Sequence, residues 1–186
     1  MSTLDKFEIT KHPAYRFIGK SVYIGNKRGT PPYFDFMWAQ SDWVFEELDN
    51  MKSYASDIPY NAALITWDKY DNKSELFGYY IGRFMKAGTP VTKDIDLDYF
   101  DIPEGEVAQA WMKGTPGKRG GIFSDNDVLV DEAIKRADYN GQHWKWSADI
   151  CLIQEGSDET YVGSFIPCKA LTKKELKKRA KEAAKK

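Results

Sequence analysis

Side chains that could carry out chemistry are few in this sequence, and their spacing fits no familiar catalytic arrangement. The two histidines, His12 and His143, belong to no cluster with metal-ligand spacing. The sequence also lacks a nucleophile elbow. The glycine-rich segment 117–121 lacks the spacing of a phosphate-binding loop and its following Ser or Thr. These features favour a binding protein over an enzyme, and they predict neither a metal nor a cofactor.

Aromatic residues are the main candidates for contact with a ligand. The chain has six Trp, eleven Tyr and ten Phe, an aromatic fraction of 15%. The face of a ring attracts a cation by about 0.5–2 kcal/mol, so several rings around one cleft could bind a lipophilic cation. Each ring could equally belong to the core. The candidates are Tyr23, Trp67, Tyr79, Tyr80, Trp111, Trp146 and Tyr161. Because Tyr79 and Tyr80 are adjacent on a predicted strand, at most one of them faces a cleft.

The charges are divided unevenly between a body and a tail. Residues 171–186 carry eight Lys/Arg and two Glu, a net charge of +6, while the other residues carry −7. An acidic body favours cationic or neutral ligands and disfavours nucleic acid as its main partner.

The sequence also indicates a compartment. No apolar run approaches the roughly 20 residues that span a bilayer, and the N-terminal residues do not resemble a secretory signal. Cys151 and Cys168 are too few for a disulfide framework or a cysteine-rich metal site. We therefore expect a cytoplasmic protein with reduced thiols and no membrane partner.

The elements that would position these residues occur twice in the same order. After an irregular lead-in over 1–13, the pattern predicts a strand over 15–24, a loop, a helix over 33–51, and strands over 62–67 and 75–84 joined by a hairpin loop. Following an acidic linker, it predicts a strand over 106–112, a glycine-rich loop, a helix over 124–139, and strands over 146–153 and 160–167. Gly78 and Gly82 indicate a bend or the close approach of a ligand or another backbone.

This order predicts the fold class. We expect an α+β domain over 1–170, built from duplicated β-α-β-β modules at about 14–88 and 96–170. The modules would form a mostly antiparallel sheet with two main helices and a ligand cleft between them. In the Lys-rich tail 171–186, Leu171, Thr172, Glu175 and Leu176 form a capping box with a hydrophobic staple, which predicts a helix starting at Thr172. The tail is either a solvated helix or a contact for a protein or nucleic-acid partner.

Two short segments resemble a known family. Ile102, Pro103, Glu104 and Gly105, followed by Val107 and Ala108, are similar to an Ile-Pro-Ala-Gly-x-Tyr-Ala segment, with Gly114 closing the strand. The segment 161–169 resembles that family's last strand, an apolar pair followed by Pro and a basic residue. The family is the bacterial effector-binding domain, also called the gyrase-inhibitor-like small-molecule-binding domain. Its members occur alone or fused to AraC-type and MerR-type DNA-binding regions.

The resemblance also implies a binding residue. The family has a carboxylate, usually Glu, on its penultimate strand, where it meets cationic drug-like ligands, and the matching position is Asp149. Alternation places Asp149 between apolar neighbours on that strand. Asp is one methylene shorter than Glu, and Val107 replaces a family Tyr. The alternative is that Asp149 lies on a solvated strand face or accepts a backbone N–H.

Three functions are compatible with the sequence. The first is a free-standing sensor, sequestering or regulatory protein that binds hydrophobic, cationic small molecules in an aromatic cleft with Asp149 at its centre. The second, implied by the resemblance, is a hydrolase of reactive electrophiles that uses Asp149 or Glu106 to activate water. The third is a protein-binding modulator, such as a topoisomerase inhibitor.

Overall fold

The computed structural model of the chain describes residues 3–25, 33–69, 76–114, 137–138, 145–153 and 160–183. These residues form an α+β fold dominated by antiparallel strands, as predicted. They fall into two compact units that interleave along the chain. The first unit comprises Pro13–Glu104 and Lys145–Cys151, and the second comprises Met1–His12, Gly105–Trp144 and Leu152–Lys186. The module boundaries and the cleft between modules stay predictions.

The elements, in chain order, are β1 (Thr3–His12), β2 (Tyr15–Gly25), α1 (Tyr33–Ala39), α2 (Asp42–Asn50), β3 (Ala62–Thr66), β4 (Leu76–Lys86), β5 (Asp98–Ile102), β6 (Gly105–Gly114), β7 (Ala137–Asp138), β8 (Trp146–Ile153), β9 (Thr160–Ala170) and α3 (Lys173–Ala183). In the first unit the strand order is β8-β3-β4-β2-β5. In the second unit it is β1-β6-β9, and β7 also pairs with β9. All the strand pairs described by register are antiparallel.

The predicted helix over 33–51 is instead two helices, α1 and α2, with a break at Gln40 and Ser41. The Ser41 hydroxyl donates a hydrogen bond to the Trp38 carbonyl at 2.7 Å. Serine side chains compete with the helical backbone hydrogen bonds in this way, which favours an end to α1. On α2, Val44 and Leu48 are buried one turn apart against the sheet, as their spacing predicts.

Two strands were not predicted. Residues 1–13 were expected to be irregular, but Thr3–His12 is β1, paired along its length with β6. The acidic segment before Ile102 contains β5, which pairs with β2. β1 and β5 each lie at one end of the strand order of their own unit, and both carry charged residues. Charged residues are common on edge strands but lower the local strand signal, so these strands are recognised only through their distant partners.

The predicted helix over 124–139 lies outside the described residues except at its end, where the prediction is wrong. Ala137 and Asp138 form β7, opposite Ala170 and Lys169 of β9. Ala137 is fully buried with Ala108 and Cys168, so it is a core residue without being helical. Ala137 is apolar because it is buried, and its position happened to fit the helical spacing of the apolar residues before it.

The tail helix begins as predicted. The Thr172 backbone N–H donates to the Glu175 carboxylate at 2.9 Å, and the Thr172 hydroxyl donates to it at 2.6 Å. These bonds lower the pKa of Glu175, first through the Thr172 hydroxyl. Arg179 donates to the Ala137 carbonyl at 3.0 Å, which ties α3 to β7. Among the described residues, no helix combines the length and apolar character needed to cross a bilayer.

Strand glycines allow two close approaches in the first unit. Gly19 of β2 lies opposite Gly82 of β4, and a Cβ atom on either glycine would overlap the backbone of the other strand. At Gly78 a Cβ would overlap the Thr66 hydroxyl and lie 3.2 Å from the rings of Tyr23 and Tyr80. Of the two alternatives predicted for these glycines, the close approach of another backbone holds at Gly82. At Gly78 the close neighbours are side chains, two of which are candidate ligand-binding rings.

Candidate functional site

The two faces of the first unit's sheet have different partners, which separates Tyr79 from Tyr80. Tyr79 lies on the face covered by the helices, where its hydroxyl accepts a hydrogen bond from the Trp38 indole N–H at 2.9 Å. Tyr80 points to the opposite face, because side chains alternate along a strand. Only Tyr80 of this pair is therefore available to a site on that face.

The face that carries Tyr80 holds a cluster of packed rings. Phe17 contacts both Tyr80 and Phe84 edge to face, with centroid distances of 6.4 and 5.1 Å. Tyr80 also contacts Phe100 of β5 at 6.5 Å. Such pairs contribute about 0.5–1.5 kcal/mol each beyond burial. Phe17 is fully buried and Tyr80 is only 4% exposed, so the position of the Tyr80 ring is closely defined by packing.

A groove of about 610 Å³ opens beside this ring cluster. We call it the Tyr23 groove; it is lined by Ser21, Tyr23, Asp68, Lys69, Tyr80 and residues 91–100. Every lining residue belongs to the first unit. Its volume falls within the range typical of small-molecule sites, about 300–1,000 Å³.

A chain of hydrogen bonds joins two tyrosines to a carboxylate in this groove. The Tyr23 hydroxyl donates to the Asp68 carboxylate at 3.2 Å and lies 3.3 Å from the Tyr80 hydroxyl. A phenol has one hydrogen, so with Tyr23 donating to Asp68, Tyr80 is the donor to Tyr23. The Thr66 hydroxyl also donates to Asp68, at 2.8 Å. The network thus orients both phenols and the carboxylate from three neighbouring strands.

The phenols in this network stay neutral well into the alkaline range. Burial raises the pKa of Tyr80 strongly, and its hydrogen bond with Tyr23 raises it further. Burial also raises the pKa of Tyr23, to which the negative charge of Asp68 contributes. A neutral phenol has an uncharged, electron-rich ring face, which attracts a cation.

Charged residues give the groove an acidic character. Its lining includes Asp68, Asp94, Asp96 and Asp98, against Lys69 and Lys93. Asp98 accepts hydrogen bonds from the hydroxyl and the backbone N–H of Ser21 at 2.7 and 3.1 Å. Asp96 is already paired with the Lys20 ammonium at 2.7 Å. The other lining carboxylates still outnumber the lining ammonium groups, so the groove favours a positively charged guest. Within the described residues, no cluster of His, Cys, Asp and Glu is arranged to hold a metal ion.

Comparison with known proteins identifies the fold. No protein-family model matches the sequence, and no curated protein matches it at a significant level. The structure of SAV2435 bound to tetraphenylphosphonium matches with a TM-score of 0.61 and 7% identity, covering 88% of this chain and 94% of that one. A candidate transcription regulation protein from Staphylococcus aureus MU50 matches with a TM-score of 0.57 and 8% identity, over 89% and 99% of the chains. The EcmrR C-terminal domain matches with a TM-score of 0.52 and 9% identity, over 89% and 98%. The chain shares the fold of these three structures. This confirms the fold that the resemblance implied.

Two of the predicted ligand-binding residues, Tyr23 and Tyr80, meet in the Tyr23 groove. Trp67 directly precedes Asp68, and its backbone N–H donates to the Lys145 carbonyl at 2.8 Å. Trp146 is 4% exposed and packs against the Phe84 ring at 6.4 Å, within the ring cluster. Trp111 belongs to the second unit, where its ring contacts Phe165 at 6.2 Å.

Two other predicted residues have backbone positions only. Asp149 pairs with Ala63 of β3, and Tyr161 pairs with Lys113 of β6. Their side chains lie outside the described part of the structure. The role of Asp149 as the ligand carboxylate therefore stays a prediction.

Residue-type reasoning missed the carboxylate nearest the two tyrosines. Asp68 was assigned to a hairpin loop, and the acidic segment 94–98 to a linker. Asp68 lies two residues after the end of the apolar strand β3, a position where a polar side chain can be held at the edge of a sheet. An acid at a strand end, with aromatic residues on the neighbouring strand, was the available signal.

Proposed function

We propose that this protein binds hydrophobic, cationic small molecules in the Tyr23 groove, acting as a sensor, a sequestering protein or a regulator. The observation that carries the proposal is the hydrogen-bonded chain of Tyr80, Tyr23 and Asp68 along a groove of about 610 Å³. It joins a carboxylate to the aromatic surface that a lipophilic cation needs.

The lining of the groove supports this ligand class. Phe100 adds a further ring to Tyr23 and Tyr80, and Tyr99 adds another, one face of which Arg16 covers. A cation over such a ring gains about 0.5–2 kcal/mol, and micromolar affinity requires about 8 kcal/mol in total. Burial of the ligand's apolar surface can supply the remainder. The excess of carboxylates would repel an anion of the same shape.

The fold comparison supports the choice of a test ligand. SAV2435, which shares the fold, has been solved with tetraphenylphosphonium. This ion spreads one positive charge within four phenyl rings. Tetraphenylborate has nearly the same shape and the opposite charge, so the pair separates charge selection from hydrophobic binding.

Isothermal titration of the full chain with these two ions tests the proposal. We expect saturable binding of tetraphenylphosphonium, with a Kd on the order of micromolar, and no measurable binding of tetraphenylborate. Equal affinity for both ions would show that the groove does not select charge, and the cation proposal would fail.

Three Asp to Asn variants assign the carboxylate. Asp68→Asn should weaken tetraphenylphosphonium binding about fivefold, because a partly solvated charge pair contributes about 1 kcal/mol. Asp5→Asn, at an exposed position on β1, is the matched control. Asp149→Asn tests the carboxylate implied by the family resemblance. A loss of affinity in Asp149→Asn together with unchanged affinity in Asp68→Asn would place the site away from the Tyr23 groove.

The hydrolase and the protein-binding modulator stay predictions. If the protein converts a reactive electrophile to its hydrolysis product, and Asp149→Asn abolishes this turnover, the hydrolase would be favoured. Contact through the Lys-rich tail likewise stays a prediction, and deletion of residues 171–186 tests it.

A further inference from the structure

A lysine of the protein already occupies the ring face that a ligand cation would use. The Lys69 Nζ atom lies 3.7 Å from the centroid of the Tyr23 ring. Lys69 directly follows Asp68, which accepts the hydrogen bond from the Tyr23 hydroxyl. One dipeptide therefore covers the face of the ring and binds its hydroxyl.

The contact differs from the other two cation–π contacts in the described residues. Arg16 lies over Tyr99, but Asp101 holds its guanidinium with bonds of 2.7 and 2.9 Å. Arg83 lies over Phe45 and is held by Asp49 and Asn61. Within the part of the chain that the structure describes, Lys69 makes no ion pair and no side-chain hydrogen bond, and it is exposed. Its contact with Tyr23 is thus the most easily released of the three.

We propose that Lys69 is a tethered competitor that must leave the Tyr23 ring before the positive group of a ligand can bind there. This inference rests on the proposed function of the Tyr23 groove. It makes Lys69 a specificity-determining residue, because any ligand cation must bind the ring better than an ammonium that is already present at high effective concentration.

The competition favours one class of ligand. A primary ammonium is compact and strongly hydrated, so a small alkylamine would replace Lys69 with an equivalent group and gain little. A bulky cation with delocalised or shielded charge gives up less hydration and buries more apolar surface. The released Lys69 ammonium returns to water, since the residue is exposed. The groove should therefore select lipophilic cations over small hydrophilic amines.

The size of the effect follows from the strength of the contact. While Lys69 covers the Tyr23 ring, the site cannot bind the positive group of a ligand. A cation–π contact at an exposed site is strong enough to weaken the apparent affinity for the ligand about three- to sixfold in this way. Lys69→Ala should tighten tetraphenylphosphonium binding by that factor. Lys93→Ala is the matched control, since Lys93 also lines the groove and its loss removes the same charge.

Titration of these variants, with NMR of the Lys69 side chain, tests the inference. Support requires that Lys69→Ala tighten binding more than Lys93→Ala, and that Lys69→Arg does not tighten it. It also requires that the Lys69 ε-CH₂ signals be shifted upfield in the free protein by the Tyr23 ring. This shift should disappear at saturation with tetraphenylphosphonium and in the variant Tyr23→Leu. Equal effects of Lys69→Ala and Lys93→Ala would reduce the effect to net charge and overturn the inference.

Two other outcomes separate this inference from the proposed function. If tetraphenylphosphonium saturates the protein while the Lys69 signals keep their upfield shift, the competitor role is wrong and the binding function stands. If no saturable binding occurs in the unmodified protein, both the proposed function and the competitor role fail.

Discussion

Alkaline pH offers a quantitative test of the burial of two tyrosines, one of which, Tyr80, belongs to the site. Tyr15 and Tyr80 are each 4% exposed. Burial raises the pKa of both phenols strongly. A hydrogen bond to Asp57 raises the pKa of Tyr15 further, and the hydrogen bond with Tyr23 raises the pKa of Tyr80 further. The folded protein therefore keeps these two protons at a pH where the unfolded chain has released them.

The sign of the effect follows from proton linkage. Below about pH 10 both states are protonated and the stabilisation is fully present. Above that pH the unfolded state binds fewer protons, so the free energy of unfolding falls by about 1.4 kcal/mol per pH unit for each such phenol. Tyr15 and Tyr80 together should contribute about 2.7 kcal/mol per pH unit to the slope, until the pH reaches their folded-state pKa values. Tyr23, whose pKa is also raised, adds to this slope.

The variant Tyr80→Phe isolates the contribution of Tyr80. At neutral pH it should cost about 0.5–1.5 kcal/mol, because the hydrogen bond to Tyr23 is lost. Above about pH 10 its slope should be shallower by about 1.4 kcal/mol per pH unit, so its stability should approach and then pass that of the unmodified protein.

Urea denaturation followed by circular dichroism, at a series of pH values from about 8 to 12, measures both slopes. Absorbance at 295 nm counts the tyrosinates that form in the folded state. Tyr54→Phe, which removes a hydroxyl from an exposed ring, is the matched control and should remain parallel to the unmodified protein. Parallel curves for Tyr80→Phe would refute the argument that burial keeps this phenol protonated.

Two further predictions concern the scaffold. Gly82→Ala should destabilise the protein by about 2–4 kcal/mol, because its Cβ overlaps the β2 backbone. The control Gly105→Ala, whose Cβ meets only His12 at 3.4 Å, should be nearly neutral. Equal losses of stability for the two variants in urea denaturation would contradict the close approach. Thr172→Ala should lower the protection of the Glu175 amide against hydrogen exchange about fivefold, because the helix cap is lost. Thr172→Ser keeps the capping hydroxyl and should keep the protection. Unchanged hydrogen exchange in Thr172→Ala would show that the cap does not stabilise α3.

Elements defined by short-range interactions were predictable from the sequence. The capping box of Thr172 and Glu175 lies within one helical turn, and its hydrogen bonds form as predicted. Val44 and Leu48 are one turn apart and define the buried side of α2. In these cases the residues that determine the structure are neighbours in the chain, so the local pattern contains the necessary information.

The edge strands required long-range pairing. Thr10 of β1 lies opposite Val107 of β6, and Phe17 of β2 lies opposite Phe100 of β5. Charged residues weaken the local strand signal of both segments. Only the partner strands, some 80 to 100 positions away, make these segments extended.

The candidate site shows the same division. The types of Tyr23 and Tyr80 made them candidates from the sequence, but which of Tyr79 and Tyr80 faces a pocket depended on the position of the helices. Asp68 reaches Tyr23 because Gly78 pairs with both Thr66 and Tyr23, and its missing side chain leaves room for the Thr66 hydroxyl and the Tyr23 ring. Residue type determined what chemistry was available to this protein. The antiparallel register of three strands decided which groups meet, since Tyr23 is remote along the chain from both Asp68 and Tyr80.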